Sequence, residues 1–210
     1  MRKIISIIVF AFLSLIPITA FAQSDNTIEV LVPWSEKNDD MLKVSIINKA
    51  GLPEDKIMII KKVMESDKYY EENGQIFFEG WTGALKSIDS STVKKFDITV
   101  SEKMKGGDIV IELLNERHPA YSGWTTPQYV GNHMVTSTIQ IYDSQNISSA
   151  QLENLVRHEL GHALGLGHSN VQQDIMYESM GTTQKFISGC TIIGLQSLFE
   201  SNSFVDVNCV

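Results

Sequence analysis

Residues 157–168, RHELGHALGLGH, place three histidines and a glutamate close together in the chain. His158 and His162 are four residues apart, and on a helix this spacing puts both side chains on one face, one turn apart. Two imidazoles in this arrangement can bind one zinc ion at about 2.0–2.1 Å. Glu159 can reach a water on the open side of such an ion and take its proton. The pattern predicts machinery for the attack of water on a peptide carbonyl.

Gly165 predicts where this helix ends. Glycine accepts a positive φ, so the chain can turn sharply there and bring His168 back as a third ligand. Three histidines leave a fourth position for water or substrate, as catalytic zinc sites require and structural sites do not. The alternative interpretation is a helix whose histidines have surface or capping roles.

The segment HELGHALGLGH resembles the zinc signature H-E-x-x-H-x-x-G-x-x-H of the metzincin metalloendopeptidases, and it matches at every fixed position. Metzincins also carry a methionine turn beneath the zinc, and DIMYES supplies Met176, eight residues after His168. Ser169, directly after the third histidine, and Tyr177, directly after Met176, are similar to the matrixin branch. The resemblance is specific over about 149–180 and looser over 75–200.

The resemblance implies a zinc-dependent endopeptidase with one catalytic Zn²⁺, and the N-terminal pattern described below predicts that it is secreted. In this scheme Glu159 is the general base, and Met176 is an apolar floor rather than a ligand. The implied ligands are His158, His162 and His168. The alternative is a catalytically silent or narrowly self-processing zinc-binding protein on the same metzincin scaffold.

The implied fold is α/β (α+β), a metzincin-like zincin fold. It has a twisted mixed β-sheet, an active-site helix and a small C-terminal subdomain after Gly165. Residues 136–143 are expected to form the edge strand beside the cleft, where an extended polypeptide substrate pairs by main-chain hydrogen bonds. Residues 178–186 would line the pocket for the residue after the scissile bond.

Several matrixin features have no counterpart here. No cysteine precedes the zinc signature, so latency through a cysteine is not expected. Residues 23–50 could instead mask the cleft, for example through Asp39 or Asp40. His118 and His133 are candidates for a second metal, although surface roles are favoured. Calcium stays open as a further ion, although no EF-hand pattern of spaced acidic residues supports it.

The remaining elements follow from periodicity and turn residues. Ser148 and Gln151 have the spacing of a capping box at the start of the zinc helix. A loop of about twenty residues, rich in aromatic residues, is expected between two strands and is typical of a functional loop; it contains Tyr121, Trp124 and Tyr129. The predicted strands are 27–34, 42–48, 94–102, 107–114 and 135–143, and the predicted helices are 52–66, 75–88, 146–165 and 189–200.

The N-terminus resembles a secretory signal peptide. A basic pair precedes an apolar run, and small residues at Ala20 and Ala22 predict cleavage between Ala22 and Gln23. An uncleaved membrane anchor is the alternative. The domain prediction is therefore a signal peptide (1–22), an N-terminal extension that is either a pro-segment or the start of the domain (23–74), and a matrixin-like catalytic domain (75–210).

Charge and cysteine content limit the partners. The net charge of −8 argues against nucleic acid and anionic membrane surfaces. A monomer without a stable membrane partner is expected after cleavage of the signal peptide. Cys190 and Cys209 predict one disulfide in an oxidising compartment. Metal thiolates are the weaker alternative, because the pair lacks the close spacing of zinc knuckles.

Overall fold

The computed structural model describes residues 26–35, 41–89, 91, 93, 95–101, 106–179, 184–201 and 205–209. The strands in this part are β1 (Thr27–Val30), β2 (Met41–Asn48), β3 (Tyr69–Glu72), β4 (Gln75–Phe78), β5 (Lys95–Ser101), β6 (Ile109–Leu113), β7 (Gly123–Val130), β8 (His133–Ile141), β9 (Leu166–Ser169) and β10 (Val205–Asn208). The helices are α1 (Glu54–Glu65), α2 (Trp81–Lys86), α3 (Ser149–Ala163) and α4 (Gly189–Ser201).

A mixed five-stranded sheet in the order β5-β2-β6-β8-β7 carries the core. The first four strands of that order run parallel, and β7 is antiparallel to β8 at the edge. Val44 and Ile46 of β2 are buried, as parallel strands covered by helices require. The helices α1 and α3 supply the facing apolar side chains, among them Ile60 and Leu152. This confirms the predicted fold class.

The prediction of 136–143 as the edge strand is wrong. These residues fall largely in β8, which lies between β6 and β7. The edge strand beside the cleft is β7, and its residues were predicted to be a loop. None of its residues is fully buried: partly buried and exposed residues alternate from Gly123 to Gln128, and Tyr129 and Val130 are exposed. Pro127 is tolerated because an edge strand leaves some main-chain positions unpaired.

The prediction of one helix over 75–88 is also wrong. Asn73 and Gly74 both have positive φ, at 53° and 77°. Two such residues form the tight turn that matches the twist of a hairpin, and β3 and β4 pair antiparallel around them. The short helix α2 begins only at Trp81. Asn73-Gly74 is therefore a hairpin signal, and not only a break in the chain.

The hairpin β3–β4 is an excursion between two helices that remain in contact. The chain leaves α1 at Ser66, and Gly83 in α2 donates its N–H to the Ser66 carbonyl at 3.1 Å. A Cβ on Gly80 would lie 2.6 Å from the same carbonyl oxygen, so the two ends of the excursion are in contact. The hairpin extends from this junction toward the segment that precedes α4. There Phe78 and Ile187 exchange two main-chain hydrogen bonds of 2.9 Å.

A smaller sheet in the order β10-β1-β9 places the N-terminal strand β1 between two C-terminal strands, and α4 packs against it. Cys190 and Cys209 are joined by a disulfide that ties the chain after β10 to α4. The predicted signal peptide (1–22) and the masking residues Asp39 and Asp40 lie outside the described residues. Within the described part, no helix combines the length and apolar character needed to span a membrane.

Candidate metal centre and active site

The helix α3 carries two of the three histidines. It begins with the predicted capping box: the Ser148 hydroxyl accepts from the Gln151 N–H, and the Gln151 side chain accepts from the Ser148 N–H. His158 and His162 project from the same face of this helix. Their Nε2 atoms lie 3.1 Å apart.

Carbonyl groups hold both imidazoles in one tautomer. His158 Nδ1 donates to the Ile175 carbonyl at 2.7 Å, and His162 Nδ1 donates to the Leu166 carbonyl at 2.9 Å. Both Nε2 atoms therefore carry lone pairs and face each other. Burial lowers the pKa of His158 to about 4, although the bond to Ile175 opposes this shift. Burial, together with the neighbouring histidines, lowers the pKa of His162 to about 3. Both rings are neutral at pH 7, as metal ligation requires.

The third histidine reaches the pair through a turn at Gly165. This residue has φ +106°, and a Cβ there would overlap the Val32 carbonyl oxygen. Glycine is therefore required at this position both by the conformation and by the close approach of the chain. Strand β9 follows directly and brings His168 beside the helix. One nitrogen from each of His158, His162 and His168 lies within 4.8 Å of the others.

The arrangement fits a zinc ion. Ligands at about 2.0–2.1 Å around a tetrahedral ion lie about 3.3 Å apart, close to the 3.1 Å between the two helical Nε2 atoms. Two lone pairs at this distance repel each other unless a cation lies between them. The donor set of neutral imidazoles and the fixed tautomers are those that zinc sites use.

The predicted methionine turn packs against the helix that carries His158 and His162, where the Met176 sulfur occupies the space that a side chain on Gly161 would need. Met176 is fully buried and joins the apolar core below the helix. Its N–H donates to the Asp174 carboxylate at 2.7 Å. The same carboxylate accepts from the hydroxyls of Ser188 and Thr191 at the start of α4. Because Ile175 lies between Asp174 and Met176, this anchor also holds the carbonyl that binds the His158 ring.

Glu159 lies between the metal ligands and the edge strand. Its carboxylate Oε2 accepts a hydrogen bond from the Thr125 hydroxyl at 2.6 Å. Gly123, two residues earlier on β7, leaves room for the carboxylate, since a Cβ there would lie 2.5 Å from Oε1. Burial raises the pKa of Glu159 to about 7, against the opposing effect of the Thr125 bond. A carboxyl group with this pKa can both accept and release a proton near neutral pH.

A cleft of about 1240 Å³ opens over the three histidines and Glu159. One wall consists of residues 120–125 on and before β7, and the base is the exposed side of α3. The opposite wall includes Glu178 and Ser179 after the methionine turn, and Phe186. The hairpin β3–β4 extends this wall, because Tyr70 lines the cleft and packs its ring 4.9 Å from that of Phe186.

The sequence interpretation did not identify several residues at this site. Thr125 and Gly123 were assigned to a loop, and Asp174 was not singled out. Their partners are distant in sequence; the bond between Thr125 and Glu159 spans 34 residues. The sequence of β7 gives only a weak indication of a strand, because Gly123 and Thr125, the two residues that face Glu159, are small or polar instead of apolar.

The structure separates the two candidate residues for a second metal. His118 stacks on Tyr121 and accepts N–H bonds from Ala120 and Tyr121, whereas His133 begins β8. In the part of the chain that the structure describes, the one histidine, cysteine or carboxylate cluster suited to a metal is the triad at 158, 162 and 168.

Comparison with known proteins agrees with this geometry. The family model described as matrixin, peptidase M10, matches residues 84–200, more than half of the chain. The metalloendoproteinase 2-MMP of Arabidopsis thaliana is 37% identical over 57 residues, 26% of this chain and 15% of that protein. The metalloendoproteinase 4-MMP of the same plant is 36% identical over 70 residues, 32% of this chain and 20% of that protein.

These two matches cover no more than a fifth of either relative, so they extend the comparison only locally. The family match is broader. It begins in α2 and ends in α4, and it therefore contains the main-sheet strands β5 to β8 as well as the histidine triad. The chain belongs to the matrixin family of metallopeptidases.

Proposed function

We propose that this chain is a secreted zinc-dependent endopeptidase. The observation that carries the proposal is the placement of Glu159 beside three converging imidazoles, at the floor of a cleft bordered by an edge strand. Membership in the matrixin family supports metalloprotease chemistry in general. The role of each residue is inferred from the geometry of the site.

A zinc ion held by the triad would polarise a scissile carbonyl and acidify a water molecule. The protein side chains would then move the proton. Thr125 holds Oε2 of Glu159, and within the described residues no hydrogen bond reaches Oε1. Oε1 is therefore available to take the proton from the attacking water and to pass it to the leaving amine. Burial raises the pKa of Glu159, and the charge of a bound zinc ion would lower it again toward the ionised, proton-accepting form.

An extended polypeptide is the substrate that the cleft supports best. Strand β7 has no further strand beside it in the described residues, so its outer edge can pair with an extended backbone. Tyr121 and Trp124 line the cleft and are 46% and 45% exposed. Their rings lie 4.6 Å apart and offer an apolar surface for substrate side chains. Tyr129, by contrast, does not line this cleft.

We also propose that residues 1–22 direct export and that the catalytic domain begins near Thr27. Two positions support the second point. Strand β2 lies between β5 and β6 in the main sheet, and α1 contributes buried side chains to the same core. Of the two interpretations of residues 23–74, the start of the domain is therefore favoured over a removable pro-segment.

The test is hydrolysis of a quenched peptide library by residues 23–210, compared with Glu159→Gln and with Glu54→Gln as a matched control on the exposed side of α1. Zinc is quantified in all three proteins. Loss of the general base is expected to reduce hydrolysis by about 10²- to 10⁴-fold, while the zinc content stays at the parent level. The control variant should cleave like the parent. Hydrolysis by Glu159→Gln at the parent rate would refute the role of Glu159.

A further inference from the structure

The third ligand lies on a β-bulge opposite the N-terminal strand. In the pairing of β1 with β9, Ile28 faces Ser169 and Val30 faces Leu166. Between these pairs β1 has only Glu29, whereas β9 has both Gly167 and His168. An extra residue of this kind locally turns the strand and redirects a side chain. Here the redirected residue is the metal ligand.

Glu29 lies directly against the bulge. Its Oε2 accepts a hydrogen bond from the main-chain N–H of His168 at 3.2 Å. The side chain also covers Gly167, where a Cβ would lie 2.5 Å from the Cβ of Glu29. The carboxylate therefore satisfies the N–H group that the bulge leaves unpaired, and it does so from across the strand pair.

The three ligands are held in different ways. The rings of His158 and His162 are fixed by carbonyl groups at Nδ1. Within the described residues, no hydrogen bond from the protein reaches the ring of His168. The position of His168 therefore depends on its main chain, and β1 supplies the partner for that main chain.

Further contacts join the N-terminal segment to the ligand turn. The Leu31 N–H donates to the Gly165 carbonyl at 2.8 Å. The Trp34 indole N–H donates to the Ala163 carbonyl at 2.9 Å. No residue of 26–35 lines the cleft, so this segment lies behind the ligands and does not cover the site.

We propose that Glu29 is a positioning residue for the third metal ligand, and that strand β1 is part of the metal centre. The inference rests on the zinc site of the proposed function but not on peptide hydrolysis. Residues 27–34 then support the metal site and do not mask the cleft. Their removal would weaken metal binding and would not activate the enzyme.

The test compares zinc affinity in the parent, Glu29→Ala, Glu29→Gln and Asp206→Ala. Asp206 is the matched control, because it is an exposed acidic residue on β10 that faces Glu29 across the other side of β1. Affinity is measured by competition with a chromophoric chelator. The visible spectrum of the Co²⁺ form reports the ligand geometry, and thermal unfolding in chelator reports the fold of the metal-free proteins.

Glu29→Ala is expected to lower zinc affinity on the order of tenfold, because the loss of a residue that supports a metal ligand typically has an effect of this size. It should also change the Co²⁺ spectrum while metal-free unfolding stays close to that of the parent. Glu29→Gln should restore parent affinity, because its amide oxygen accepts the same N–H. Asp206→Ala should bind zinc like the parent.

Parent affinity in Glu29→Ala, or an equal loss in Asp206→Ala, would overturn the inference. If the parent binds zinc and Glu29→Ala weakens it, but no peptide is cleaved, the proposed protease function fails and this inference stands. If the parent itself binds no zinc, both fail together.

Discussion

Substituting Gly165 by alanine tests whether the turn after the zinc helix depends on glycine. A left-handed conformation costs a non-glycine residue about 1–2 kcal/mol, and φ +106° lies beyond the usual left-handed region. The new Cβ would also meet the Val32 carbonyl oxygen and come within 2.9 Å of Leu198. Such overpacking adds about 1–3 kcal/mol. Gly165→Ala is therefore expected to lower the free energy of unfolding by about 2–5 kcal/mol.

Gly51 is the matched control for this experiment. It also has a positive φ, +65°, but a Cβ there would meet no atom within 4 Å. Gly51→Ala should therefore lose only the conformational part, about 1–2 kcal/mol. Urea unfolding followed by tryptophan fluorescence, in chelator and with the disulfide intact, measures both variants without any contribution from the metal. Zinc affinity is measured separately and should fall for Gly165→Ala alone. Equal losses of stability in the two variants would refute the argument that the chain approaches Gly165 too closely for a side chain.

Two further substitutions test the support of the site and of the sheet. Asp174→Ala should destabilise the fold by about 1–3 kcal/mol, because the Met176 N–H and the hydroxyls of Ser188 and Thr191 lose their acceptor. Thr191→Val removes only one of these bonds and should lose less stability in urea unfolding. Equal losses in the two variants would contradict the shared anchor. Burial alone would raise the pKa of Glu112, but the bonds from Lys49 and Gln140 outweigh it and hold this pKa below its ordinary value of 4.5. A lowered pKa stabilises the fold above pH 4.5 and loses this effect as the pH falls through the folded value. The stability difference between the parent and Glu112→Gln should therefore narrow in acid, and a difference that stays constant from about pH 7 to pH 3 would contradict the ion pair as its source.

Local patterns in the sequence predicted the parts of the site that depend on local geometry. The spacing of His158 and His162 defines one helix face regardless of the rest of the chain, and Ser148 with Gln151 marks the start of that helix. Gly165 identifies the turn, because few other residues accept its conformation. Each of these inferences involves neighbours within one or two turns of the chain.

Long-range partners were not predictable in the same way. Glu29 and His168 are 139 positions apart, and nothing local connects them. Strand β7 was not predicted because it lacks the alternating apolar residues of an interior strand. Gly123 and Thr125, its residues beside Glu159, are small or polar because they border the cleft. The helix predicted over 75–88 failed for a different reason: the hairpin turn at Asn73-Gly74 was read as a simple break.

The hairpin β3–β4, which forms part of one wall of the cleft, leaves and rejoins the rest of the fold at almost the same point. Ser66 and Gly80 are in contact, so an insertion or deletion between them leaves the spacing of α1 and α2 unchanged. Surface excursions with adjacent ends tolerate changes of length better than most other parts of a fold. The hairpin reaches the cleft through Tyr70, and Glu79, which follows β4, accepts a hydrogen bond from Arg157 of the zinc helix. A change of length at the Asn73-Gly74 turn, away from Glu79, is therefore expected to reshape this wall and to leave the histidines in place.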